Sequence, residues 1–181
     1  MLELTILGFL HERPLHGYEL KDRIQGLSGH VRPVSDGALY PAITRMVKAG
    51  LLERRTEPGT SAAPRRTLSL TADGRAELLA RLRDPKDAEI TDGQRFFVLL
   101  AFLGLLPDRA EQAAVLRRRQ AFLNTPASFF YENGAPVRAE DEPDLFRRGM
   151  LRIARATGTA EKQWLTEALR ELESDAPPGP A

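Results

Sequence analysis

A mainly α-helical chain carrying one small β-ribbon is predicted for these 181 residues by three observations. Apolar residues recur at helical spacing through most of the length. Two short stretches with strand character, "LLERR" and "RRTLSL", flank the turn-rich "TEPGTSAAP". From residue 90 onward the pattern is helical again, broken only over 124–143. Cysteine is absent, which rules out disulfides and thiolate metal sites and points to a reducing cytosol. The longest apolar run, "FFVLLAFLGLL" (96–106), is shorter than the roughly 20 residues a membrane-spanning helix needs. "MLELTILGFLHERP" carries Glu3 and no basic leader, so it does not read as a secretory signal.

Element by element, "LELTILGFL" (2–10) reads as a buried first helix. "PLHGYELKDRIQGL" (14–27) reads as a second, with Pro14 at its start and Leu20, Ile24 and Leu27 on one face. "SDGALYPAITRMVKAG" (35–50) reads as a third. Ser35 and Asp36 are its cap candidates, Leu39, Ile43, Met46 and Val47 its apolar face, and Gly50 its terminator. The two strands follow, and "TADGRAELLARLRD" (71–84) resumes as a helix behind a Thr71 cap. Helix, helix, helix, strand, wing, strand, helix is the order of a winged helix-turn-helix.

Residues 85–93, bracketed by Pro85 and Gly93, read as a hinge, and 94–174 as an α-helical dimerisation and effector domain. The all-round apolar surface of residues 90–106 must be covered by other protein, and a dimer seam using it and the last helix is expected. A helix starting at Pro107 runs to 123, and 124–143 is irregular, with an aromatic cluster at Phe129, Phe130 and Tyr131. Over 144–173, Phe146, Met150, Ile153, Ala160, Trp164, Ala168 and Leu172 recur at helical spacing. The tail 175–181 is expected to be disordered.

Net charge is only +1, yet residues 32–66 hold seven bases against three acids. Such a patch fits a local polyanion contact or an ordinary solvated surface. The third helix favours the first reading. With its apolar face turned inward, Tyr40, Thr44, Arg45 and Lys48 lie on or near the other side, where a major-groove helix meets base edges. Ser35 and Tyr40 suit the phosphate backbone, and Arg65 and Arg66 at the base of the wing would reach an adjacent phosphate or the minor groove. Pro41 is unusual inside a helix, since it has no N–H to give the Gly37 carbonyl.

The joint pattern "PLHGYEL", "SDGALYPAITRMVKAGLLERR" and "APRRTLSLTADGRAEL" resembles the DNA-binding half of PadR-like transcriptional regulators. The similarity spans residues 2–84, and "AEKQWL" (160–165) resembles the last helix of that family's helical dimerisation region. The resemblance implies a homodimeric repressor of double-stranded DNA, binding an inverted repeat and released by a small molecule. It carries Tyr18, Gly37, Tyr40 and Pro41 over as family positions. Two places depart from the family's pattern: Leu68 replaces a common aromatic, and "SAAPRR" lacks a wing glycine.

Several residues keep two readings. Tyr18 fits either packing between the second and third helices or a DNA contact. Phe96, Phe97 and Trp164 suit a small aromatic or amphipathic effector, and equally suit packing. His11, His16 and His30 lack metal-ligand spacing, and no cofactor is expected. No nucleophile–base–acid set can be assembled, so an enzyme is not expected. The alternative is a winged-helix protein–protein adaptor without specific DNA binding.

Overall fold

A computed structural model describes residues 1–28, 34–57, 65–126, 131–132 and 134–174. His30, the wing tip, Phe129, Phe130 and the tail lie outside the described residues. In order the elements are α1 (Leu2–Glu12), β1 (Leu15–His16), α2 (Gly17–Ser28), α3 (Asp36–Lys48), β2 (Leu52–Glu57) and β3 (Arg65–Leu70). They continue with α4 (Ala72–Arg83), α5 (Asp87–Thr91), α6 (Gly93–Leu103), α7 (Arg109–Asn124), β4 (Tyr131–Glu132), β5 (Ala135–Pro136) and α8 (Leu145–Ser174). The fold is thus mainly helical with a small antiparallel sheet of order β1-β3-β2. Two compact units divide the chain, Met1–Pro107 and Asp108–Ala181.

In the first unit α1 is the central helix. Leu4, Ile6, Leu7 and Leu10 are buried, and α2, α3, α4 and α6 all pack against it. The second helix starts later than its sequence suggests. Pro14 precedes a two-residue strand instead, with Leu15 opposite Leu68 and His16 opposite Thr67. The Glu19 carboxylate accepts the His16 N–H at 2.8 Å, which closes the start of α2 and holds that carboxyl below its ordinary range. Leu68, the departure from the family pattern, is a core residue.

The end of α3 is tightly specified. Gly50 adopts φ +74°, donates to the Val47 carbonyl at 3.0 Å, and Leu51 donates to that of Met46 at 3.0 Å. This pair of bonds is the Schellman arrangement, and the left-handed backbone explains the glycine. The Leu51 carbonyl then accepts the Thr71 N–H (3.2 Å), and the Thr71 hydroxyl is shared between the carbonyls of Gly50 (2.7 Å) and Leu51 (3.0 Å). Thr71 in turn accepts the Gly74 N–H at 2.9 Å as the cap of α4. A Cβ on Gly74 would stand 2.0 Å from the Leu51 oxygen, so only glycine fits.

The apolar run 90–106 is two helices, α5 and α6, with Asp92 capping the second through the Arg95 N–H. Phe96, Leu99, Phe102 and Leu103 are buried, and the Phe102 ring rests where a Cβ on Gly8 would be. Phe102 also meets Phe9 edge to face at 5.2 Å. The first unit itself therefore covers most of the surface that was assigned to a dimer seam. Hinge and α6 alike group with the first unit, whereas the sequence suggested a boundary at 93/94.

The second unit is an antiparallel pair, α7 against α8, with the β4–β5 hairpin between them in sequence. Pro107 stays outside α7, which Asp108 caps through the Ala110 N–H. Buried Arg119 grips Glu161 through two bonds of 2.7 and 3.1 Å. Leu151, Leu165 and Leu169 are the buried residues of α8. The stripe predicted from spacing is a different one: Phe146 is 81% exposed, Ile153 70%, and Met150 and Trp164 are also exposed.

Gly74→Ala is expected to cost about 1–3 kcal/mol through overpacking. Gly50→Ala should cost about 1–2 kcal/mol through its left-handed backbone. Urea unfolding measures both, and an unchanged midpoint for Gly74→Ala would contradict the close approach. Burial and the nearby Arg75 charge hold His11 below its ordinary 6.5, partly offset by Glu12. The unfolded chain therefore takes the proton first, and stability falls as pH drops through 6.5 toward the lower folded value. His11→Gln should flatten that decline in urea midpoints measured between about pH 7 and 5.

Candidate nucleic-acid interface

At 3.6 residues per turn, Gly37, Tyr40, Pro41, Thr44 and Lys48 share the face of α3 opposite buried Leu39, Ala42, Ile43 and Met46. All five are exposed. The helix continues through Pro41, and Lys21 of α2 ties its start with a 2.7 Å bond to Asp36. That bond to Asp36 also raises the pKa of Lys21. Ser35 is the N-cap by backbone position, its carbonyl accepting the Ala38 and Leu39 N–H groups at 3.0 Å. Its side chain makes no cap bond, so the hydroxyl faces outward uncommitted at a helix N-terminus. Gly37 beside it presents bare backbone there.

Thr44 donates its hydroxyl to the Tyr40 carbonyl at 2.9 Å. What it offers outward is an acceptor lone pair and a methyl group, which suits an amino-bearing base edge or a thymine methyl. Arg45 lies at the margin of this face rather than at its centre. Its guanidinium reaches Glu3 of α1 at 3.5 Å, and Arg81 of α4 holds the other Glu3 oxygen at 3.3 Å. An exposed pair of this kind is worth only about 0–1 kcal/mol, so a phosphate can displace it.

The two tyrosines flank the start of α2. Tyr40 lays its ring over Gly17, where a Cβ would lie 3.3 Å from it. Tyr18 is 62% exposed and stacks on the His16 ring at 5.7 Å, which answers its open reading against a core role. The His16 Nδ1 atom lies 3.3 Å from both the Thr67 hydroxyl and the Arg66 carbonyl, fixing this aromatic pair to β3.

In the ribbon, Arg54 opposes Leu68 and Arg66 opposes Thr56, which puts both arginines on one face, while Arg55 opposes Thr67 on the other. Arg55 pairs with Glu53 at 3.1 Å. Lys48, Arg54 and Arg66 have no carboxylate within ion-pair distance among the described residues. Arg65 stands in β3, and its side chain is outside the described set. Arg54 and His16 were missing from the sequence-based site. Arg54 becomes legible once the strand register places it beside Arg66, and His16 only once β1 is seen to join the sheet.

The residues considered for an effector are divided. Phe96 is 1% exposed within the first unit, and Phe97 on the same helix is exposed. Trp164 belongs to the outer stripe of α8 in the second unit. No helix among the described residues is long and apolar enough to cross a membrane.

Residues 6–80 match the family described as the transcriptional regulator PadR-like family. No curated protein matches the sequence. Among solved structures, *Bacillus subtilis* PadR in complex with operator DNA is similar at 19% identity, covering 94% of this chain and 98% of that one, with a TM-score of 0.46. *Bacillus subtilis* PadR in complex with p-coumaric acid is similar at 22% identity, covering 95% and 98%, with a TM-score of 0.43. The PadR-like regulator BC1756 from *Bacillus cereus* is similar at 19% identity, covering 94% of each chain, with a TM-score of 0.41.

Thr44→Ala is expected to cost about 1–3 kcal/mol at one base-pair position and to relax the preference there. Lys48→Ala should weaken binding to all sequences alike and make the log–log salt slope shallower by about 0.9. Competition binding across a salt series separates them, and identical behaviour of the two variants would contradict this division of roles.

Proposed function

We propose that the chain, a PadR-like transcriptional regulator by its residues 6–80, works as a homodimeric repressor released from DNA by a small-molecule effector. The family is one of transcriptional regulators rather than enzymes. In this reading α3 enters the major groove, Ser35, Gly37 and Tyr40 meet the phosphate backbone, and Thr44 with Arg45 addresses base edges. Tyr18, Lys48, Arg54, Arg65 and Arg66 add backbone contacts on either side. The observation that carries it is the distribution of acids: Lys21, Arg45 and Arg55 have carboxylate partners, while Lys48, Arg54 and Arg66 have none among the described residues. Cations left without a carboxylate among the described residues suit a polyanion.

The outer face of α8 supports the dimer. Phe146, Met150, Ile153, Thr157, Ala160 and Trp164 repeat at alternating steps of four and three, the spacing of a two-helix seam. Their span is about 27 Å at 1.5 Å per residue. The face toward α7 is a separate one, and Phe146, Met150, Ile153 and Trp164 of this stripe are exposed among the described residues. Two copies of α8 laid antiparallel would set this stripe on itself, with Phe146 near the partner's Trp164 and Ile153 near its Thr157. A two-fold dimer then reads an inverted repeat, one α3 per half-site.

Ile153→Glu, a substitution at an exposed position, should leave helicity unchanged and give a monomeric mass by sedimentation at micromolar concentration. Its operator affinity should fall well below that of the native dimer. A dimer that survives both Ile153→Glu and Phe146→Glu would overturn this seam. For the DNA reading, the sequence flanking the gene is the first operator candidate, and affinity for it should fall steeply with salt. Salt-independent or undetectable binding to that fragment and to bulk DNA would favour the adaptor.

A further inference from the structure

Glu3 is an acid on the core side of α1. It stands one turn before Leu7 and two before Leu10 on the same face of the helix, and both leucines are buried. A first-turn acid suits the positive end of the helix dipole, which explains a carboxylate here but not what its two oxygens meet. One oxygen lies 3.5 Å from the Arg45 guanidinium of α3. The other lies 3.3 Å from that of Arg81 on α4, and Arg81 donates its Nε–H to Glu77 at 2.6 Å. Glu77, Arg81, Glu3 and Arg45 thus alternate in sign across three helices, and Glu3 is braced from behind.

This sets Arg45 apart from the other cations of the interface. Lys48, Arg54 and Arg66 lack a carboxylate partner among the described residues, so their charges answer any phosphate. Arg45 meets Glu3 through Nη2 alone, its Nε and Nη1 have no partner among the described residues, and its side chain is 65% exposed. A guanidinium fixed at one corner keeps N–H groups in the planar fork that matches the O6 and N7 acceptors of guanine. Holding it in advance also removes part of the rotamer freedom an arginine loses on docking. The same carboxylate repels phosphate oxygens, so it subtracts from the contact that every sequence offers equally. Both effects favour a base edge over the backbone. We propose that Glu3 is a positioning residue for DNA recognition, holding Arg45 for one base edge and away from the phosphates. The acid thereby raises sequence preference and lowers affinity for DNA at large. This rests on the regulator reading above, and it assigns a part in base reading to a residue outside the interface.

Selection from a randomised duplex pool by the native protein, Glu3→Gln, Arg45→Ala and the double variant tests the role, together with their affinities for bulk DNA. Arg45→Ala should lose the preference at one base-pair position. Glu3→Gln should weaken the preference at that same position and raise bulk-DNA affinity, each by about two- to fivefold, the range an exposed ion pair supports. In the double variant the preference should match that of Arg45→Ala alone, because the effect of Glu3 passes through Arg45. Gln keeps the length and shape of Glu, so the circular dichroism spectrum should stay the same. A Glu3→Gln variant that selects like the native protein, or whose bulk-DNA affinity fails to rise, would overturn the positioning role. So would an Arg45→Ala selection identical to the native one, or a further loss of preference in the double variant. In each of these cases salt-dependent binding by the native protein leaves the regulator reading standing. Native protein that binds neither the pool nor bulk DNA would overturn the regulator reading itself.

Discussion

The carbonyl oxygen of Leu51 is the point on which the first unit is organised. It follows directly on the Gly50 turn that ends α3, and it accepts both the N–H and the hydroxyl of Thr71. Thr71 is the residue that ends β3 and caps α4. Helix α4 then approaches so closely that no side chain fits at Gly74. One acceptor thus joins the exit of α3, the entry of the ribbon and the start of the helix that returns to α1. These bonds, with that of the Thr71 hydroxyl to the Gly50 carbonyl at 2.7 Å, tie the end of α3 to the end of the ribbon. The residues of "AGLL" and "LTADGR" thus set geometry.

Electrostatics on this unit works by subtraction. The chain is close to neutral, so an anion-attracting surface cannot come from net charge. What varies over the unit is where the carboxylates are. Asp36 takes up Lys21, Glu3 is shared by Arg45 and Arg81, and Glu53 turns Arg55 aside. Each pair is exposed and individually weak. Their collective effect is positional, since they hold these cations and leave Lys48, Arg54 and Arg66 facing solvent together. Thr44 shows the same economy in hydrogen bonding: its donor is spent on Tyr40, which narrows what it can present outward.

In the second unit the bidentate Arg119–Glu161 pair sets the register of α7 on α8. A buried ion pair is weak evidence of net stability, but its planar geometry tolerates little slippage, so it specifies which face of α8 turns inward. That choice decides everything on the outside of the helix. Leu151, Leu165 and Leu169 go in, and the Phe146-to-Trp164 stripe stays out.

Read alone, the sequence determined most of the local structure. Helices α1, α3 and α4, the ribbon, the Gly50 terminator, the Thr71 cap, the outward side of α3 and its similarity to PadR-like regulators were legible. Each depends on neighbours within a turn or on side-chain periodicity, and such information is local. Tertiary structure decided what required a distant partner. Pro14 became the lead-in to a strand, because β3 lies some fifty residues away and gives Leu15 and His16 their pairing. The run 90–106 was apolar all round, which does not reveal what covers it; α1 supplies the cover through a bare Gly8. The tie of Arg45 to Glu3, on another helix, was likewise invisible in the sequence. On α8 two apolar stripes run along one helix, and periodicity cannot rank them. Only the contact with α7 shows which is core, because burial is a property of pairs of surfaces rather than of one.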